Sequence, residues 1–207
     1  AHPNFESHID TDANVCTSLL VNRHLQGRQQ AWAVTGAFGD NLADAARQAA
    51  APLDLSAGQL AQLQSLGECL NYNGYGETLA DLFFDPAELY RQLRLFADPF
   101  PFIAESPAYR TLKSGYQDDM ARAIAISAAE ARVSGRIFML PAEKWARRIS
   151  GVFGNQPAVE SPAQAHAVLT AKPEGGYVVS VRAPLVTKSG ADLLCARFDS
   201  GGGRKGA

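Results

Sequence analysis

Apolar positions between residues 11 and 132 recur at three- to four-residue intervals, the repeat of helices with one buried face. Thr11-Asp12 marks a helix start ahead of Val15, Leu19 and Leu20, and the run reaches Leu25 before Gly27. Gln30 to Phe38 is a second, largely apolar segment, broken at Gly39-Asp40-Asn41; a helix resumes at Leu42 and stops at Ala51, before Pro52. Ser56 is placed to cap a helix whose Leu60, Leu63, Leu66 and Leu70 share one face, and Asn71 to Gly76 is turn-rich. Asp85-Pro86-Ala87-Glu88 combines an N-cap, proline at the first helical position and a glutamate able to close a capping box. Ser106-Pro107 repeats the signal and opens a long helix, expected to reach Val133 with Gly115 as its weak point.

The period shortens to two near residue 135. Arg136 to Leu140 is rich in strand formers, and after Pro141 an amphipathic helix at 142–153 carries Trp145 and Ile149. Ala165 to Thr170 and Tyr177 to Ala183 read as two strands joined by the turn Pro173 to Gly176, and residues 190–198 as a short helix before a glycine run. The chain therefore divides into a helical portion, 1–132, and an α+β module, 133–207, with the boundary expected at Val133-Ser134-Gly135.

Composition narrows the classes. Of 207 residues, 46% are hydrophobic and 19% charged, enough apolar content for a core and too much for a disordered chain. The net charge of −2 offers no general field for nucleic acid, so any phosphate binding must come from a local site. Cys16, Cys69 and Cys195 are far apart and form no CxxC pair, which argues against a disulfide scaffold or thiolate zinc site and suits a cytoplasmic location. No stretch approaches 18 apolar residues and no signal peptide is visible, so no membrane partner is expected. The chain opens at Ala1-His2-Pro3 and ends in a glycine-rich loop with nothing evident to hold its far side, which reads as a piece of a longer protein.

Few residues are candidates for chemistry. Gly201, Gly202 and Gly203 followed by Arg204 and Lys205 could bring backbone N–H groups and two cations to an anion; the same residues also read as a solvated tail. Arg182 shares a strand face with Val178 and Ser180, where a half-buried guanidinium needs an anionic partner or a strand-end ion pair. Asp40 ends an apolar run between glycine and asparagine, placed either to point a carboxylate into a cleft or to cap the helix from Leu42. Arg147 and Arg148, and the pair Asp118-Asp119, read as solvated helix faces. The four histidines have no metal-ligand spacing, and no GxSxG elbow is present.

Three segments together resemble the DHH phosphoesterases, the group of RecJ nucleases, nano-RNases, cyclic-dinucleotide phosphodiesterases and some exopolyphosphatases. Ser180-Val181-Arg182 followed by Phe198-Asp199-Ser200-Gly201-Gly202-Gly203-Arg204-Lys205-Gly206-Ala207 resembles the strand and GGG(G)H-type loop of their associated C-terminal domain. His8-Ile9-Asp10 through Leu20 is similar to the helix that follows the Asp-His-His triplet, and Ala37-Phe38-Gly39-Asp40 to the segment bearing the last metal ligand. The resemblance implies an α/β fold in which residues 1–105 are the mainly helical end of a catalytic domain. Residues 106–132 would then be a linking helix, and 133–207 a small α+β substrate-binding domain with a mixed sheet, cut short at its C-terminus. It implies a two-metal Mn2+ hydrolysis of phosphodiester or phosphoanhydride bonds in the intact protein, with Asp40 as the metal ligand carried here. Arg182, Gly201, Gly202, Gly203 and Arg204 would bind the phosphate of a small molecule or short nucleic acid; a homodimer is an arrangement it allows. The chain departs from the pattern in having no counterpart of the N-terminal α/β unit that carries the family's DxD and Asp-His-His motifs, and in placing Arg204 where the family commonly has His. The alternative the same residues leave open is a non-catalytic module that only binds nucleotide or nucleic-acid phosphates.

Overall fold

Side-chain caps at Ser56, Asp85, Asp98 and Ser106 set four of the helix starts. The computed structural model describes residues 6–12 and 14–206. Contacts divide the chain into two units, Ala1–Asn73 with Phe84–Ser114, and Gly74–Phe83 with Gly115–Ala207.

The first unit is helical. It holds α1 (Thr17–His24), α2 (Gln30–Gly39), α3 (Ala43–Ala50), α4 (Ala57–Tyr72), α5 (Pro86–Leu93), α6 (Pro99–Glu105) and the first half of α7 (Pro107–Ile124). Ser56 caps α4 in a full capping box with Gln59, as expected. Asp85 caps α5 through the N–H groups of Ala87 and Glu88, but Glu88 does not complete a box; its carboxylate pairs with Arg91 at 2.9 Å instead. α1 begins at Thr17, later than expected, because the Asp12 carboxylate accepts the Asn14 N–H in a local turn rather than capping a helix. α2 buries Ala33, Val34, Thr35, Ala37 and Phe38 and forms the middle of a core with Ala46 and Leu63. The Asn73 side chain both donates to the Phe84 carbonyl and accepts from the Phe84 N–H, closing the excursion 74–83 at its base.

The second unit is a small sheet with helices. β1 (Glu130–Arg132), β2 (Gly135–Leu140), β3 (Ala165–Ala171) and β4 (Tyr177–Arg182) lie in sequential order. β1–β2 and β3–β4 are antiparallel and β2–β3 parallel, so the sheet is mixed. The parallel pair needs a crossover, which α8 (Lys144–Phe153) and α9 (Asn155–Glu160) supply. Trp145, Ala146, Ile149 and Phe153 of α8 are buried, as are Phe138, Leu140, Val168 and His166 on one sheet face. The last helix, α10 (Ala191–Cys195), precedes the glycine run.

Two expectations fail here. Val133 and Ser134, where the boundary was expected, are the turn between β1 and β2, and α7, expected to reach Val133, stops at Ile124, with residues 130–132 paired instead with Gly135 to Ile137. Arg147, Arg148 and Asp119 are not solvated. Arg147 grips the buried Asp81 carboxylate with Nε at 2.9 Å and Nη2 at 2.6 Å, and Arg148 Nε donates to Asp119 at 2.8 Å. The chain is thus mostly helical with a four-stranded mixed sheet, an α/β combination, and no helix among the described residues is long and apolar enough to cross a membrane.

Candidate functional site

In the first unit, α1, α2 and α4 meet through small residues. A Cβ on Gly39 would lie 2.8 Å from the Gly67 carbonyl, so α2 and α4 touch backbone to backbone, and one on Gly36 would lie 2.5 Å from Ser18 Oγ, so the α1 side chain sits directly on the α2 backbone. The close approach opens a cavity of about 630 Å³ at the C-terminal end of α2, lined among others by Thr17, Ser18, Trp32, Asp40 and Asn71.

Asp40 is held by its backbone. Its N–H donates to Gly36, the Asn41 N–H to Phe38 and the Leu42 N–H to Ala37, with Asn41 at φ +60°. These are the bonds of a Schellman motif, with asparagine where glycine is commonest. The capping reading for Asp40 is thereby excluded, since α3 starts after Leu42 and has no side-chain cap. The exposed Asp40 carboxylate makes no hydrogen bond or ion pair among the described residues. A carboxylate at the negative end of a helix, unpaired and facing a cavity, sets up a potential that favours a cation.

Among the described residues, Asp40 is nevertheless the one carboxylate lining the cavity, and no imidazole or thiolate lines it. Among the described residues, no group of three His, Cys, Asp or Glu could hold a metal. These residues by themselves therefore do not fit a two-ion Mn2+ centre. Asp40 could be only one ligand of it.

The second unit carries the other candidates. Arg182 is half-buried, and burial pulls its pKa below the usual arginine value. Nε donates to Asn155 Oδ1 at 2.9 Å, Nη1 to Ser180 Oγ and the Val181 carbonyl, and Nη2 to the Gly151 carbonyl at 2.9 Å. All four acceptors are neutral, so its charge is not offset by a carboxylate in contact. That answers the expectation of an anionic partner: none is built in. The strand-end ion pair is absent among the described residues.

The glycine run is not a loose tail. The Ala183 N–H donates to the Gly206 carbonyl at 3.0 Å and the Ala191 N–H to the Lys205 carbonyl at 3.1 Å, so the far side of the loop is tied down beside β4. Gly201 donates to Phe198 at 2.8 Å, while the N–H groups of Gly202 and Gly203 have no acceptor among the described residues. Arg204 is exposed. Gly206 lies next to the residue following Arg182, but among the described residues no hydrogen bond joins Arg182 to Gly201–Arg204. Asp40 belongs to the first unit, Arg182 and the loop to the second.

Sequence reasoning missed the groups that fix Arg182, Asn155 and Gly151, and the exposed Tyr75 that lies against Gly151. The glycine inside the otherwise amphipathic α8 was the one visible signal. No family model matches the chain, and neither does any curated protein or solved structure.

Proposed function

We propose that the chain is part of a metal-dependent phosphoesterase of the DHH kind, acting on short oligonucleotides, cyclic dinucleotides or polyphosphate. The observation that carries this reading is the unpaired Asp40 carboxylate fixed at the wall of a cavity at the end of α2. Asp40 would be the metal ligand contributed by these residues, with the remaining ligands lying outside them. A divalent-metal pair in such enzymes lowers the pKa of a water and neutralises a leaving oxygen. This chain's own work would be binding. Arg182, pre-set by four neutral acceptors, offers an uncompensated positive charge to a phosphate, and the Gly202 and Gly203 amides with Arg204 add donors from the loop. A permanently charged Arg204 binds phosphate but exchanges no proton near neutral pH, so it would hold substrate rather than act as acid or base.

A binding module without hydrolysis is the second reading, favoured by the single carboxylate at the cavity. Manganese-dependent hydrolysis of a 5′-phosphorylated dinucleotide by the full-length polypeptide decides between them. Asp40→Asn should lower kcat at least about 100-fold, since even groups that only orient metal ligands typically cost 10- to 100-fold, while leaving thermal stability unchanged. Undiminished activity in that variant would remove Asp40 from the reaction, and an inactive wild type would leave the binding module.

A further inference from the structure

Tyr75 leads into the 3-10 turn before Asp81 and is 39% exposed. Its ring lies flat on α8 where Gly151 leaves room: a Cβ there would be 3.0 Å from Cε1 and 3.4 Å from Cδ1 and Cζ. Any larger residue at 151 would push the ring away. The Tyr75 hydroxyl has no partner among the described residues, so no hydrogen bond of that hydroxyl fixes the ring's position. Gly151 also receives Arg182, whose Nη2 donates to its carbonyl at 2.9 Å. One glycine thus meets a partly exposed tyrosine ring at its Cα and a guanidinium at its carbonyl.

An aromatic face beside a fixed cation is the pairing that receives a base and its phosphate. Inorganic polyphosphate has no π-face and would gain nothing from the ring. We infer that Tyr75 is a base-stacking residue beside the Arg182 phosphate contact, so that the second unit recognises a nucleotide and not an inorganic polyphosphate. The inference rests on the phosphate-binding role proposed above for Arg182 and names the substrate class of that site. It requires only Tyr75, Gly151 and Arg182, not the glycine loop.

Calorimetric titration of the full chain without divalent metal tests it, with adenosine 5′-monophosphate, ribose 5-phosphate and tripolyphosphate as probes. Wild type should bind the nucleotide more tightly than ribose 5-phosphate. Tyr75→Ala should weaken nucleotide binding roughly tenfold, the loss expected for one stacked base, and leave tripolyphosphate binding as it was. Tyr75→Phe, which keeps the ring, should retain wild-type affinity, and Arg182→Gln should weaken all three ligands. The inference is overturned if nucleotide binding is absent, if Tyr75→Ala leaves it unchanged, or if that variant weakens nucleotide and tripolyphosphate alike. Because no metal or turnover is involved, nucleotide binding with no hydrolysis by the full-length polypeptide would strike the phosphoesterase reading alone.

Discussion

Replacing Arg147 with methionine removes a guanidinium from a carboxylate that cannot reach water. The Asp81 side chain is 3% exposed and that of Arg147 14%. Besides its two bonds to Arg147, Asp81 accepts the N–H groups of Glu77 at 3.0 Å and Thr78 at 3.2 Å. In Arg147→Met the charge stays buried with only those two donors. Stranding a buried charge typically costs 3–5 kcal/mol, and the surviving donors put this case at the low end, about 3 kcal/mol. Asp81→Asn in the same background removes the stranded charge, so the double variant should cost about 2 kcal/mol less than the two singles summed. The chain has two tryptophans. Trp145 lies in α8, so urea unfolding followed by its fluorescence in a Trp32→Phe background reports the second unit. The Arg147 guanidinium and the two backbone donors hold the Asp81 carboxyl far below the usual carboxylate range. The stabilisation is therefore present above the unfolded carboxyl value of about 3.9 and is lost as pH falls below it toward the lowered native value. The difference between wild type and Arg147→Met should be full at pH 7 and shrink below about pH 4. A loss under about 1 kcal/mol at pH 7, the range of exposed ion pairs, or an additive double variant would refute the reasoning.

Three further outcomes follow from the packing. Gly67→Ala should cost about 3 kcal/mol by overpacking, because its Cβ would overlap the Thr35 carbonyl and lie 2.8 Å from the Gly39 nitrogen; a loss below about 1 kcal/mol in Trp32-monitored unfolding would mean α2 and α4 can part. Burial, with the nearby Arg136 charge, holds His166 below the usual histidine value. The unfolded chain therefore takes up that proton first, and stability should fall as pH drops from about 6.5; His166→Phe should flatten that slope, and an unchanged slope would show that another group titrates. Burial pushes the Cys69 thiol up to about 12, and Cys16 is also buried while Cys195 is partly exposed. A thiol-specific dye at pH 8 should modify one cysteine in the native protein and all three in urea; rapid native labelling of two or more would contradict this burial.

Ser56 and Asp85 were legible because a cap is a contact between residues three apart, visible in any short window. The two strands of the β3–β4 hairpin were legible from their two-residue alternation and the short turn Pro173 to Gly176 that joins them. Val133-Ser134-Gly135 was not: small and polar residues suit a linker and a tight hairpin turn equally, and only pairing of Arg132 with Gly135 chooses the turn. Arg147 and Arg148 looked solvated because an amphipathic pattern records polarity, whereas their partners Asp81 and Asp119 lie far away along the chain. At the candidate site, the position of Asp40 could be read from the apolar run that it ends. That it is free, and not a cap, follows from the left-handed Asn41, which no period encodes. Tyr75 was invisible because its significance comes from Gly151 and Arg182, which reach it only through the fold.

Phe83 stands between two neighbours that constrain it from opposite chemical directions. Its ring occupies a notch in α7 where a Cβ on Gly115 would lie 2.6 Å from Cε2, and the Arg148 guanidinium sits 4.4 Å from its centroid. For a lineage of such chains, these three positions form a single evolutionary character. A side chain at 115 is admissible only after the phenylalanine has been exchanged for something smaller, and that exchange strips the arginine of its aromatic platform while it still answers to Asp119. Substitutions at these positions should therefore be correlated among them. Descendants carrying alanine at 115 should also carry a small residue at 83, whatever the rest of their sequence has become.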